Sequence, residues 1–549
     1  MAKSSRIQRL VEGGVAIMAS PFLGLDLRND PKAVRPGSVL LSQNFVPYNA
    51  QIFSKRKGTT FRNAVVWTDV LRASWATRYY VSSSVRKTIV AANKAAGDVI
   101  GQVDDANGDF TALTGMPGVG ANTRWRGVVA GEVPKLYLGN NTGTEGILVT
   151  DDGVTVTQLA GTDIPAKGFP AGPYFDRLLC FTGKRVYYSR TNLFTDWTDP
   201  TTSNPQYLLL IGDEEIEAVF LPGPDRTEVG YNGRLYICTP TSTWVHQRDF
   251  DGSAGEPNSS FSKIHERAGV AGFNTVAWTD HGCVGMGVDN IWFFPVNGLP
   301  VPIGYEVESI IRDIPAAYRT RCTAIFYKGF YILSYVRAGE TEPDRELWCD
   351  LRTFQPAYAT SRSGIDTPAA VQGITWHGPM IREAIGIGAF VLRSQSPDSG
   401  ELCAYGASEG RAMALEASVY TDNGAHIVSK LTTADLVAGL TRQVQEGYVY
   451  SVYVHGSDTF DVSFLADEGY GSVAQTNTFD TGAALWDAAT SLWDAVLWGE
   501  ESMYVSEIDH WNPRPIANKI RLTVDHHSPL GFDIRDLGAV LHPLGRIGA

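Results

Sequence analysis

Long apolar runs are missing from this 549-residue chain. No window approaches the roughly 20 apolar residues of a membrane-crossing helix, so no such span is expected. The stretch MAKSSRIQRLVEGGVAIMAS starts basic, but Glu12 interrupts it. Its apolar run, VAIMA, is too short for a secretory signal. Cysteine is scarce: Cys180, Cys238, Cys283, Cys322, Cys349 and Cys403, with no two spaced as a metal-binding pair. Most sit inside runs such as LLCF and LYIC, which reads as buried small hydrophobes and suits synthesis in a reducing cytoplasm. Positive charge is also in deficit, with 46 Lys+Arg against 59 Asp+Glu and a formal net charge of −13. Such a chain is poorly suited to wrapping nucleic acid through phosphate contacts. It can still line a path that DNA traverses without sticking.

Catalytic signatures are absent as well. There is no GxSxG or HExxH. TGMPGVGANT, at 114–123, looks like a phosphate loop but has no Lys-Ser/Thr pair and reads as a turn. DDANGDF places Asp105, Asn107 and Asp109 at calcium-loop spacing, but it has neither the glycine at the sixth loop position nor the distal Glu. An Asn-Gly hairpin turn fits better. VTDDGVTV, at 149–156, shares only Asp and Gly with an aspartate box and reads as an Asp-Gly turn. His526 and His527 are adjacent, so a strand would point them to opposite faces. No pair of carboxylates stands out for glycoside hydrolysis. No enzyme activity, cofactor or metal is expected.

What is present is a cadence of hairpins. RYYVSSSVRKTIVAA, KLYLGNNTGTEGILVT, DRLLCFTGKRVYYS, NGRLYICTPTSTWV, GCVGMGVDNIWFFPVNG, IFYKGFYILSYV and FVLRSQSPDSGELCAYG each set two apolar runs around a polar turn. A diverged repeat of small antiparallel sheets predicts an all-β chain built on a β-propeller of six or seven blades. The 56 Gly and 28 Pro are spread along the sequence, as many turns require.

Three regions follow: an amino-terminal platform segment (1–70), the propeller (71–412) and a carboxy-terminal β-sandwich or platform domain (413–549). Inside the propeller, Val307, Ile310, Ile311 and Ile314 fall at helical spacing, Glu308 faces Arg312, and Pro315 closes the helix. Beyond 413, GYVYSVYVHGSDTFDVSFLADEG and IRLTVDHHSPLGFDI alternate along strands around the turns GSD and HSPLG. Ile520, Leu522 and Val524 share one face, and Phe532 and Ile534 another. ALWDAATSLWDAVLWGEES reads as an aromatic-rich loop with a helical turn.

Two charge clusters have both plain and functional readings. Asp213, Glu214, Glu215 and Glu217 form the densest acidic run, either a solvated face or the wall of an acidic lumen and gate. Lys55, Arg56 and Lys57 form the densest basic run, either a solvated face or a subunit or adaptor contact. Trp486, Trp493 and Trp498 are further candidates for such contacts, with packing inside their own domain as the alternative.

NFVPYNAQIFSKRKGTTF resembles the early segment of the tail nozzle (tubular tail protein B) family of short-tailed bacteriophages, although RKG stands where a proline-glycine turn is common. DRLLCFTGKRVYYSRTNLFTDW resembles a blade of that family through Asp176, Arg177, Leu178, Arg185, Val186, Tyr188, Ser189 and Trp197. GCVGMGVDNIWFFPVNG resembles a later blade, and WDAATSLWDA is similar to phage virion proteins. The resemblance touches about half of the chain. It implies a structural virion protein made in the host cytoplasm: a homohexameric nozzle, part of the head-tail connector, that docks below the portal on an adaptor. Tail fibres or tailspikes would attach to it, and genome DNA would pass through it, without sequence-specific binding, during ejection. The rival readings are a propeller hydrolase acting on host glycans and a glycan-binding tail module.

Overall fold

In the computed structural model of the chain the described residues are 15–19, 23–27, 37–49, 52–82, 85–121, 123–142, 146–199, 204–210, 212–222, 234–246, 261–296, 298–354, 374–382, 385–393, 400–437, 443–455, 458–466, 475–479, 502–510, 516–517 and 519–543. Among them, seven four-stranded antiparallel sheets succeed one another. They are sheet I (70–112), sheet II (125–158), sheet III (169–209), sheet IV (218–265), sheet V (277–302), sheet VI (323–380) and sheet VII (387–414). Sheets I to VI are simple meanders. Sheet VII has three strands in sequence and takes its fourth, Thr60–Phe61, from the amino-terminal segment, with Phe61 opposite Met413 and Thr60 opposite Ala414.

The local sequence explains the meanders. In sheet VI, Thr323–Tyr327 and Phe330–Tyr335 pair with Ile325 opposite Ile332. The two linking residues, Lys328 and Gly329, both have positive φ (49° and 80°), as the tight hairpin turn that matches strand twist requires. The second strand of a sheet is covered on both faces. Every residue of Phe330–Tyr335, Gly282–Met286 and Leu235–Cys238 is buried. Such strands read as unbroken apolar runs, with no alternation. Cys180, Cys238, Cys283 and Cys403 occupy second strands, and all six cysteines are free and buried.

The first strands of successive sheets lie side by side. Val70–Tyr80 meets Trp125–Ala130, which meets Phe169–Tyr174, which meets Ala218–Phe220. Trp278 of sheet V donates its indole N–H to Leu221 O at 2.7 Å. Ala277–Thr279 meets Thr323–Tyr327, which meets Ile387–Leu392, and that strand lies against Val70–Tyr80 again. Sheet VII thus returns to sheet I. Gly388 is required there, since a Cβ would stand 2.1 Å from Ala73 O.

The two ends of the chain build a pair of seven-stranded sheets. Sheet VIII runs Phe45–Asn49, Ile52–Lys55, Phe532–Pro543, Gln443–His455, Ser502–His510; Val15–Met18 and Ile516–Ala517 are added at its flanks. Sheet IX runs Gly24–Leu25, Ser38–Gln43, Ser429–Thr433, Lys519–His526, Asp458–Ala466, Gln475–Phe479, with Leu436–Val437 on Lys519–His526. Their alternating apolar faces meet. Tyr450 of sheet VIII contacts Phe460 of sheet IX at 5.3 Å between ring centroids, and Phe532 contacts Phe460 at 5.0 Å. The GSD and HSPLG segments, which read as turns within one strand pair, connect strands of different sheets. Each strand has one apolar face, and burying all of them requires two facing layers.

The sandwich and the sheet circuit share one apolar core. It runs from Tyr448, Val462 and Leu522 through Leu25, Val39 and Phe53 to Tyr331, Trp376 and Phe293. Helix α1 (Glu308–Asp313) contributes Ile311, flanked by buried Val307 and Ile314, and Glu308 pairs with Arg312 as its spacing predicts.

Candidate functional site

Two polar clusters distinguish the molecule. The first lies where the first strands converge. A cavity of about 210 Å³ there is lined by Arg72 and Ser74 of sheet I, Thr123 and Arg124 before sheet II, and Asn274 before sheet V. Thr320 and Arg321 before sheet VI, Glu342 within sheet VI and Gly388 of sheet VII complete the wall. Arg72 Nη1 reaches Glu342 Oε2 at 3.2 Å, and its Nε donates to Asn93 Oδ1 at 2.7 Å. Arg321 pairs with the same Glu342 and donates to Thr341 O at 2.8 Å. Asn274 Nδ2 donates across the cavity to Ser74 O at 2.9 Å. Burial lowers the Arg72 pKa; Glu342 opposes that and the neighbouring Arg321 charge adds to it.

The acidic run reaches this cluster through one member. Glu217 takes a two-pronged contact from Arg124 (Nη1···Oε2 3.2 Å) and a hydrogen bond from Phe273 N at 3.3 Å. Burial raises its carboxyl pKa, and Arg124 opposes the rise. The Arg124 guanidinium also stacks over Phe273 and Phe169, at 4.6 and 5.2 Å. Glu214 instead accepts from Thr239 and Thr241 in the central turn of sheet IV, the latter at 2.7 Å. Asp213 and Glu215 are exposed. The run therefore splits into one internal ion-pair partner, one turn anchor and two surface charges.

The second cluster seats the sandwich on sheets VI and VII. Arg56 grips Asp422 through both terminal nitrogens (Nη1···Oδ1 2.9 Å) and donates to Asn44 Oδ1 at 2.9 Å and Ile381 O at 2.6 Å. Arg382 holds Glu346 (Nε···Oε1 2.6 Å), donates to Thr59 Oγ1 at 2.9 Å and lies 3.5 Å from Glu416. Tyr48 donates its hydroxyl to Glu416 and accepts from Lys57 N at 3.0 Å. Burial raises the Glu416 pKa, whereas the Arg56 contact holds Asp422 low against its own burial. Lys55 turns the other way, into the sandwich. It donates to His526 Nδ1 at 3.3 Å and to Ser528 O, and His526 Nε2 donates to Asp458 at 2.7 Å. His527, on the opposite strand face, is exposed.

This corrects the reading of the basic run. Lys55 and Arg56 are fully buried with partners in their own chain, so neither forms a solvated face or offers its charge to another subunit. Lys57 alone is partly exposed. Trp486, Trp493 and Trp498 lie outside the described residues. Arg72, Arg124, Arg321 and Glu342 were not singled out from sequence. They are spread over some 270 residues, and no motif joins them.

Residues 44–49 and 52–61 join the sandwich to sheets VI and VII. Asn44, with φ +57°, and Arg56 bracket Ile381, and Gly58 packs so closely on the hairpin of Thr421–Asp422 with Ala425–His426 that a Cβ would stand 1.9 Å from Thr421 O. The turn uses glycine for that approach. In sheet III, Ser189 is buried, accepts from Leu178 N at 3.0 Å through Oγ and from Arg177 at 3.0 Å through its carbonyl; Trp197 is fully buried.

Among the described residues no group of three or more His, Cys, Asp or Glu is placed to hold a metal ion, and no helix is long and apolar enough to cross a membrane. No family model matches the chain, and no curated protein matches it. One solved structure, BBS1N in complex with ARL6DN, soaked with lead, is similar over 74% of this chain and 99% of its own, at 8% identity and a TM-score of 0.34. A likeness at that level fixes neither family nor activity.

Proposed function

We propose that sheets I to VII form a seven-bladed β-propeller and that the chain is a structural subunit of a short-tailed phage nozzle. The return of Ile387–Leu392 to Val70–Tyr80 supports the ring, and so does the amino-terminal strand that completes sheet VII. A last sheet assembled from strands far apart in sequence, Thr60–Phe61 and 387–414, ties the start of the ring to its end. The nozzle reading rests on one observation above others. The segment 44–61, which resembles the nozzle family, is the strap that joins sandwich to ring through Asn44, Arg56, Gly58 and Thr60–Phe61.

On this reading the chain acts mechanically. Six copies assemble on the adaptor below the portal, receive fibres or tailspikes, and conduct DNA. The acidic surface suits passage, because a wall of like charge does not trap phosphate by counterion release. Mass photometry and negative-stain imaging of the purified chain, alone and with its adaptor, test this. Annular particles on the adaptor are expected. Monomers that ignore the adaptor overturn it. In assembled particles, reversing the two exposed acids (Asp213→Lys with Glu215→Lys) is expected to slow DNA ejection; unchanged ejection removes them from the channel wall.

A further inference from the structure

The cavity at the convergence of the first strands gathers positive charge in its lining. Of the charged groups that line it, three are arginines and one is a carboxylate. Arg72 and Arg321 converge on that single acid, Glu342. Arg124 is held from behind by Glu217, and Asp98, one layer back, accepts from Thr123 N at 2.6 Å. Glu217 behind Arg124 and Asp98 near Arg72 offset two of these charges from outside the cavity, so the positive excess is confined to the lining itself, three guanidiniums to one carboxylate.

The neighbouring groups have the chemistry of recognition. Guanidinium forks present paired donors whose geometry matches a carboxylate or phosphate, and their charge-assisted bonds are among the strongest available in water. Ser74, Thr123, Asn274 and Thr320 add polar rim groups. At about 210 Å³ the space is smaller than a drug-sized pocket of roughly 300–1,000 Å³. We propose that this cavity binds a small anion carrying a carboxylate or phosphate, no larger than an acidic monosaccharide, with Arg72 and Arg321 as its principal donors. Glu342 then acts as the resident competitor, holding both guanidiniums in place while the site is empty. The proposal does not rest on the nozzle reading.

The test is isothermal titration calorimetry of the full chain with inorganic phosphate, with glucuronate and with uncharged glucose. Saturable binding of phosphate or glucuronate, and none of glucose, is expected; the tighter of the two tells whether a phosphoryl group or a sugar acid is the natural class. Arg321→Gln should weaken binding on the order of tenfold. Glu342→Gln should strengthen it by a similar factor, because it removes the competitor; a purely structural role for Glu342 predicts no gain. Circular dichroism melts check that both variants fold. If neither anion saturates the wild-type chain or the Glu342→Gln variant, or if Arg321→Gln binds as tightly as wild type, the cavity is not an anion site.

Discussion

At the scale of single residues, Lys55 shows how far a charge can be moved from its ordinary state. Burial brings its ammonium pKa from 10.5 down to about 8; Asp458 opposes the shift and Arg56 adds to it. Below pH 8 the group is charged in both folded and unfolded chains, and the folded one carries the cost of keeping that charge out of water. Between pH 8 and 10.5 the folded chain releases the proton and the unfolded chain retains it, so stability rises with pH. The gain is complete above 10.5 and is lost as pH falls through 8. Lys55→Met removes this slope. Urea melts should show wild-type stability climbing relative to the variant by at most about 3 kcal/mol across that window. A constant difference between the two would mean that Lys55 does not titrate in the fold. None of this was legible in KRK as a run of letters. Its partners are remote in sequence, Asp422 lying 366 residues from Arg56, and an unpartnered basic run is ordinarily solvated. The hydrophobic identity of Cys180 and Cys238 was legible, because each stands inside an apolar run, LLCF and LYIC; Cys322, between Arg321 and Thr323, has no such run and is buried all the same.

At the scale of elements, periodicity and turn chemistry were readable and strand partnership was not. The helix around Glu308–Asp313 and the two-stranded cores of the sheets follow from spacing within a few residues. The alternation in GYVYSVYV and IRLTV fixes which face is apolar, yet it is the same whether the next strand pairs alongside or crosses to the opposite sheet. The strand Thr60–Phe61 has no signal of its own, being two residues that find their partner at Ala412–Ala414. Its seating depends on Gly58. Gly58→Ala places a methyl against Thr421 O and should cost about 1–3 kcal/mol, as overpacking does. Hydrogen exchange should locate the effect. The amides of sheet VII and of Thr421–Asp422 should exchange faster while those of sheets II and III keep their protection. Gly118→Ala, where a Cβ meets nothing within 4 Å, is the control. Uniform loss of protection in the Gly58 variant would show that the strap does not govern closure of sheet VII.

At the scale of the whole molecule, the decisive feature is that the circuit of sheets and the sandwich do not have separate interiors. Phe53 of sheet VIII meets His377 of sheet VI at 5.3 Å between ring centroids, and Ser42 Oγ of sheet IX accepts from Gly378 N of sheet VI at 2.9 Å. Arg352 of sheet VI reaches over to Tyr48 O at 2.5 Å. A division at 70/71 and 412/413 describes where the hairpin cadence starts and stops, but it splits the strand Ala412–Ala414, parts the strap from sheet VII and uncovers this face. The fragment 71–412 loses Thr60–Phe61 and returns Trp376, Tyr331 and their neighbours toward water. Each large apolar side chain uncovered forfeits roughly 2 kcal/mol. A handful of them matches the whole stability of an ordinary domain, about 5–15 kcal/mol. The full chain should therefore melt in one cooperative step by calorimetry. The fragment should bind a hydrophobic dye and aggregate at concentrations where the full chain stays dispersed. A fragment 71–412 that is monomeric, refuses the dye and melts cooperatively would show that the sheets hold together without the sandwich, and that the shared core is a docking contact between two independent bodies.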